Sequence, residues 1–449
     1  MPVSVLDSLL FRDMFGTREM RLLFEERAFL ERCIETETAL ARAQAKVGLI
    51  PAEAAAQITA SCALDKLDFE RLRKETEIVG YPILPLVRQL SEMSGKAGGY
   101  VHWGATTQDI MDTAVVLQCR AALSQLESRL ADLRHHLRAL GTRHLTTVTA
   151  GRTHLQHALP VTFGFRVAVW LSAFERHAQR LAQLKERVLR VQFGGAAGTL
   201  ASLGKPENGL ATRAALGAEL GLLVPDITWH VARDGFCETI QLLALIGGSL
   251  GKIAFDVMMM ASSEFQEVAE PFVPERGASS TMPQKRNPIS CELILAGARL
   301  LRERAALMLD AMVQDFERAT GPWHLEWSAV PESFVLAAGA LHQANFMLSG
   351  LSVDPRKMQK NLNITGGLIV AEAVMMGLAP ALGRQQAHDV VYDACRLAIE
   401  QEKPLFDVLR TDNAITSKIG VDELRHLTDP LNYLGAATQM AEAVFSGGK

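Results

Sequence analysis

The sequence predicts an all-α protein of long, packed helices, and three observations predict it. Of 449 residues, 48% are apolar and only 6% aromatic, while Ala, Leu, Arg, Glu and Gln are abundant. That balance favours helix over sheet. Apolar residues recur at alternating spacings of three and four over long stretches. Strand signals are nearly absent, as are internal repeats and low-complexity segments.

Before Val101 the chain reads as shorter helices separated by Pro51, Pro82 and Pro85. Val116, Cys119, Leu123, Leu126, Leu130, Leu133, Leu137 and Leu140 then place one apolar seam on a helix of about 25–30 residues, roughly 40 Å long. Phe174, His177, Leu181, Leu184, Val188 and Val191 repeat the spacing, and Thr162 to Arg190 holds no proline and one glycine, Gly164. Two such helices in succession imply an antiparallel bundle. A third helix is expected from about Asp234 to Val268. Gly247, Gly248 and Gly251 lie inside it, each costing ~1 kcal/mol relative to alanine, so either a neighbouring helix approaches closely or the helix breaks. Asn287-Pro288 is a helix-start signal for a fourth, running to Met312. After about Asn361 the pattern breaks at Gly366-Gly367, Pro380, Gly383, Pro404 and Pro430. The expected division is an N-terminal helical domain (1–110), a central long-helix bundle (111–360) and a small C-terminal helical domain (361–449).

Composition excludes several classes. A net charge of -4 excludes a strongly basic nucleic-acid binder, and the apolar fraction excludes disorder. Cys33, Cys62, Cys119, Cys237, Cys291 and Cys395 form no CxxC pair and no zinc-type cluster, so they read as reduced and buried in a cytoplasmic protein. Asp7 and Arg12 interrupt the apolar start, unlike a signal peptide. Ser333 to Val353 carries no Asp, Glu, Lys or Arg, but His342, Gln343 and Asn345 mark it as a core helix and not a membrane span.

The segment Gly277-Ala278-Ser279-Ser280-Thr281-Met282-Pro283-Gln284-Lys285-Arg286-Asn287-Pro288 is the sharpest local feature. Small hydroxylated residues come first, then two prolines frame a Lys-Arg-Asn cluster ahead of a helix. Backbone N–H groups at such a junction favour an anion, and Lys285 and Asn287 add a charge and directional donors. A plain basic turn accounts for the charges, but not for the serines or the amide at the helix start.

This segment resembles the signature loop of the fumarase/aspartase superfamily, Gly-Ser-Ser-x-Met-Pro-x-Lys-x-Asn-Pro, with its glycine displaced by one to Gly277. Val101–Thr113, containing His102, Thr106, Thr107, Gln108 and Asp109, resembles the family's first signature region. Gly151–Pro160, containing Thr153, His154 and His157, resembles its second. The resemblance covers nearly the whole chain. It implies removal of a proton next to a carboxylate, β-elimination or addition, and an aci-carboxylate intermediate whose charge needs preorganised donors. It implies Ser279 as the base, with Lys285 and Asn287 as charge stabilisers. A serine hydroxyl needs nearby N–H groups and a cation to serve so. His154 takes the position of a leaving-group acid, although a structural histidine would satisfy the residue type alone. Thr106, Thr107, Gln108, Thr153, His157, Ser280, Met282 and Arg286 are the implied substrate contacts. For His157 a supporting role, and for Arg286 a contact with the helix terminus alone, remain open. His102 reads as a packing residue.

Within the superfamily, Asp13–Thr17, Gly104–Asp109, Gln192–Thr199 and Trp323–Trp327 resemble bacterial 3-carboxy-cis,cis-muconate cycloisomerases, followed by adenylosuccinate lyases. The latter carry a His-Asp pair where this chain reads Val79-Gly80-Tyr81-Pro82-Ile83, which argues against a purine substrate. His154 departs from the tryptophan of several cycloisomerases and matches fumarate-releasing lyases. A C–N lyase acting on an amino-dicarboxylate or on adenylosuccinate is therefore the alternative, and an inactive crystallin-like structural protein a remote one. The resemblance further implies a small di- or tricarboxylate substrate and a homotetrameric multi-helix core with shared active sites. It implies no metal, organic cofactor, nucleic acid or membrane.

Overall fold

In a computed structural model, residues 3–318 and 320–447 are described. Helices dominate. The long ones are α1 (Glu26–Lys46), α2 (Thr107–Arg143), α3 (Phe163–Val188), α4 (Asp234–Ala261), α5 (Ile289–Ala311) and α6 (Pro322–Ser349). The eight seam residues Val116 to Leu140 are all buried on α2. At 37 residues this helix exceeds the expected length and reaches about 55 Å. On α3, Phe174, His177, Leu181, Leu184 and Val188 are likewise buried. Asn287-Pro288 does precede a helix, α5.

The chain divides into two compact units, each discontinuous in sequence. The first holds residues 1–130, 177–250 and 293–342; the second holds 131–176, 251–292 and 343–449. In the first, α1 packs on the helices Ala52–Ser61 and Pro206–Leu220. Gly247 explains itself there: a Cβ would meet the Leu301 side chain at 2.8 Å, so α4 and α5 approach closely, whereas Gly248 faces open space. In the second, Val374, Leu378, Ala387, Val391 and Leu405 build a core from the C-terminal helices.

Strand structure was nearly invisible in the sequence, yet the second unit contains a hairpin, β1 (Val148–Thr153) with β2 (Gln156–Thr162). A second, two-residue pair joins β3 (Val268–Ala269) to β4 (Ser352–Val353). Two-residue hairpin loops prefer Asn-Gly, because both positions take positive φ. Here the loop is His154-Leu155, at φ 52° and 62°. The usual hairpin signal is therefore missing.

Ser333–Leu341 is buried without interruption on α6, as expected of a core helix. Among the described residues, the helix long and apolar enough to cross a membrane is α4, half of whose most apolar window is buried. All six cysteines are free thiols; five are buried and Cys395 is half-buried.

Candidate active site

The first signature region lies in the first unit, at the start of α2. Asp109 sits in the first helical turn and reaches back to accept the Thr106 N–H at 3.0 Å, half of a capping box. The same buried carboxylate accepts the N–H groups of Gly194 and Gly195, each at 2.9 Å, and pairs with His230 Nε2 at 2.7 Å. Four donors thus fill its two oxygens, and they tie the Gly194-Gly195 loop to the helix start. Thr106 and Thr107 are half-buried. Gln108 is buried, with its amide N donating to the His230 carbonyl and its amide O accepting from Arg318. Its polar atoms are engaged within the chain. His102 pairs with the buried Glu37 at 2.6 Å. Burial alone would lower the His102 pKa; the Glu37 and Asp109 carboxylates outweigh it and raise it.

One turn further along α2, Asp112 and Glu326 hold the fully buried Arg233, at 2.7 and 2.5 Å. Burial raises the Glu326 carboxyl above its ordinary range despite Arg233. Tyr81 stacks on Trp323 nearby, with ring centroids 5.8 Å apart. The roles of Asp109, His230 and Arg233 were not assigned from sequence. Asp109 and Asp112 stood inside the first region, but their partners Gly194, Gly195, His230 and Arg233 lie 85 to 121 residues away.

The other two regions belong to the second unit. On the hairpin, Thr153 and His154 are exposed, and His154 makes no hydrogen bond among the described residues. Arg152 is anchored by a two-pronged pair with the fully buried Glu267, at 2.6 and 3.1 Å, and Asn361 donates to the same carboxylate. His157 faces Arg152 across the ladder. Burial, then the Arg152 charge, lowers its pKa. Both of its ring nitrogens are buried without a partner among the described residues. A neutral imidazole has one donor and one acceptor, so such a residue in a polar cluster can hold a ligand.

The signature loop crosses itself at its stem. The Asn287 N–H donates to the Gly277 carbonyl at 2.9 Å, and Ala278 pairs with Arg286 in an isolated bridge. Gly277 has φ +71°, and a Cβ there would lie 2.5 Å from the Asn287 carbonyl oxygen. Only glycine fits, which explains why the glycine stands at 277 and an alanine at 278. Beyond the stem, Ser279 Oγ accepts the N–H groups of Met282 at 3.1 Å and Thr281 at 3.3 Å. Donors converging on a hydroxyl oxygen favour its deprotonated form. Ser280, Met282 and Lys285 are exposed and Asn287 is half-buried. Arg286 stacks 4.4 Å over the Phe272 ring. The helix terminus expected to attract an anion is already occupied: Glu270 accepts the N–H groups of Ser290 and Cys291 at the start of α5. The side chains of Ser280, Lys285, Arg286 and Asn287 remain as loop donors for an external carboxylate. Among the described residues, no cluster of three or more His, Cys, Asp or Glu side chains could hold a metal ion.

Comparison with known proteins decides the family. A family model described as Lyase matches residues 15–300, and one described as Adenylosuccinate lyase C-terminus matches 367–444. The chain belongs to the fumarate lyase superfamily. It is an enzyme of that superfamily, with its all-α fold. A solved fumarate lyase from Mesorhizobium sp. BNC1 is 57% identical and superposes with a TM-score of 0.91, covering 96% of this chain and 98% of that one. Trans-aconitate decarboxylase 1 of Mycosarcoma maydis is 46% identical over 97% of this chain and 88% of that protein. The 3-carboxy-cis,cis-muconate cycloisomerase of Pseudomonas aeruginosa is 44% identical over 96% of this chain and 95% of that protein.

Proposed function

We propose that this enzyme abstracts a proton next to a carboxylate of a small di- or tricarboxylate and completes β-elimination or addition, in the manner of 3-carboxy-cis,cis-muconate cycloisomerase. The observation that carries the reading is Ser279, whose Oγ already receives two backbone N–H groups. Preorganised amides stabilise the deprotonated oxygen without reorganisation, so they help form the alkoxide that takes the substrate proton. Lys285 and Asn287 supply donors for the aci-carboxylate. His154, at the hairpin tip with no hydrogen bond among the described residues, supplies or positions the leaving-group proton. Thr106, Thr107, Thr153, His157, Ser280, Met282 and Arg286 are proposed contacts. Gln108 is proposed to act by holding Arg318 and His230.

The full-length similarity to the Pseudomonas aeruginosa cycloisomerase supports the substrate class. One observation favours a second reading, a fumarate-releasing C–N lyase. His154 stands exposed at the hairpin tip, where expelling an amine calls for a group that handles a proton at neutral pH. Against adenylosuccinate stands the lack of a His-Asp pair at Val79–Ile83, where Tyr81 instead stacks on Trp323.

The proposed assembly is a homotetramer in which each site draws one signature region from each of three subunits, and the proposed compartment is the cytoplasm. Exposed apolar residues on the long helices, such as Leu245 and Phe255 on α4 and Leu309 on α5, support helix packing between copies. Light scattering then gives about four times the 49.0 kDa chain mass.

The deciding experiment assays the purified protein with 3-carboxy-cis,cis-muconate, adenylosuccinate and N-substituted aspartates side by side, together with Ser279→Ala and Ser280→Ala. Turnover of the muconate, lost in Ser279→Ala and largely kept in Ser280→Ala, supports the reading. Turnover of the aspartates alone shifts it to the C–N lyase. Full activity of Ser279→Ala removes the base assignment. Mixing inactive Ser279→Ala and His154→Asn chains restores part of the activity if subunits share sites, and restores none if each chain holds a whole site.

A further inference from the structure

The foot of the Ser279 loop is held by a polar node that no step of the proposed chemistry uses. Arg276 Nη2 donates to Ser290 Oγ at 2.7 Å and to Gln343 Oε1 at 2.9 Å, and Ser290 Oγ donates to the same Oε1 at 3.1 Å. The Arg276 guanidinium lies 4.4 Å over the Phe346 ring. Ser290 and Gln343 are buried, so both donors on the Gln343 oxygen are bonds that water cannot replace. Gly277, whose carbonyl receives the Asn287 N–H, follows Arg276 directly, and Ser279 stands two residues further on. Among the described residues, no hydrogen bond joins residues 277–287 to any residue outside 275–289. Apart from the stacking of Arg286 on Phe272, the direction in which Ser279, Lys285 and Asn287 leave the protein body is therefore set at the foot.

From this we infer that Arg276 and Gln343 are positioning residues for the Ser279 loop. The amide oxygen of Gln343 orients Arg276 and Ser290 on opposite sides of the crossing. Arg276 then fixes Gly277 against Asn287, and that crossing aims the two halves of the loop. The inference rests on the proposed role of Ser279. Small errors in the placement of reacting groups are costly in kcat.

The test compares Gln343→Leu, which removes the acceptor, with Gln343→Glu, which keeps an acceptor oxygen at the same reach. One readout is independent of activity: the rate of tryptic cleavage after Lys285 and Arg286, followed by mass spectrometry on the intact oligomer. Gln343→Leu is expected to raise cleavage at these two sites by about tenfold or more, with other sites unchanged, because local opening governs such cleavage. With 3-carboxy-cis,cis-muconate it is expected to lower kcat by about tenfold or more while KM moves less than about threefold. Gln343→Glu is expected to recover most of both effects. Unchanged cleavage and kcat in Gln343→Leu overturn the inference. So does cleavage raised throughout the chain, or a Gln343→Glu protein as impaired as Gln343→Leu. Ser279→Ala run in parallel separates the two readings. If it is fully active, the base assignment fails and the tryptic readout alone judges the node.

Discussion

Replacing Asp109 with asparagine should loosen the Gly194-Gly195 loop by an amount that follows from counting donors. Oδ1 takes the Gly194 N–H and His230 Nε2; Oδ2 takes the Gly195 and Thr106 N–H groups. An asparagine offers one acceptor oxygen and one amino group. In one orientation the amino group faces the Gly195 and Thr106 N–H groups, and both lose their partner. In the other it faces Gly194 and His230. The imidazole can adapt by moving its proton to Nδ1, 3.2 Å from Thr228 Oγ1, but the Gly194 N–H cannot. At least one buried backbone donor is orphaned and the surviving bonds lose their charge. At about 1–3 kcal/mol per unsatisfied buried donor and about 1.5–3 kcal/mol per bond to a charged group, the local cost is about 3–5 kcal/mol. A chain of two units has no single unfolding free energy, so the measurement must be local. Hydrogen exchange on peptides covering 192–198 is the assay. The Gly194 and Gly195 amides should exchange about a hundredfold faster or more, since each ~1.4 kcal/mol is tenfold. Asp109→Ala should do at least as much. Acceleration below about threefold would show that the four contacts do not hold the loop, and the counting argument would be wrong.

Three further outcomes are expected. Gly277→Ala places a side chain at φ +71° and a Cβ 2.5 Å from the Asn287 oxygen. At about 1–2 kcal/mol for the backbone alone, the crossing should part and kcat fall by about tenfold or more with little change in bulk melting; normal kcat refutes the role of the crossing. His154→Asn should lower kcat more than it raises KM; because asparagine tolerates positive φ, a change confined to KM would make the residue a binding group and could not be blamed on the turn. The His102 pKa is raised in the fold, so its pairing with Glu37 contributes stability below the ordinary histidine value and loses it as pH rises through the raised one. Unfolding measured from about pH 5.5 to 8.5 should therefore show a falling component that His102→Asn removes, and an identical slope in the variant excludes the pair as its source.

Much of the helical frame was legible because it rests on periodicity. The seam from Val116 to Leu140 needs no tertiary information: spacing alone places eight side chains on one face, and all eight are buried. The start of α5 was legible in the same way, from Asn287-Pro288. What could not be read was anything defined by a partner distant in sequence. Asp109 looks like any first-turn carboxylate until Gly194, Gly195 and His230 are brought to it. Arg233 looks like a surface arginine until Asp112 and Glu326 enclose it. The anion expected at the start of α5 is real, but it is Glu270 from the same chain.

The hairpin and the displaced glycine share a physical cause. Local rules would write Asn-Gly at the tip of β1–β2, yet the chain places His154 and Leu155 there at positive φ. Left-handed backbone at residues other than glycine costs of order 1–3 kcal/mol and persists only where surrounding structure enforces it. Here the enforcement is visible: Arg152 on β1, two residues before His154, is locked to the buried Glu267, which also holds Asn361. A rigid base can carry a strained tip, and the tip then presents an imidazole that a relaxed Asn-Gly turn could not. The Ser279 loop solves the same problem differently. Glu275 at its foot is left-handed too, at φ 65°, but at the stem crossing the left-handed position falls on Gly277, where it is cheap, and Ser279 has two amides on its oxygen. Strain is tolerated where the functional group must occupy the turn itself, and handed to glycine where the group can stand beside it.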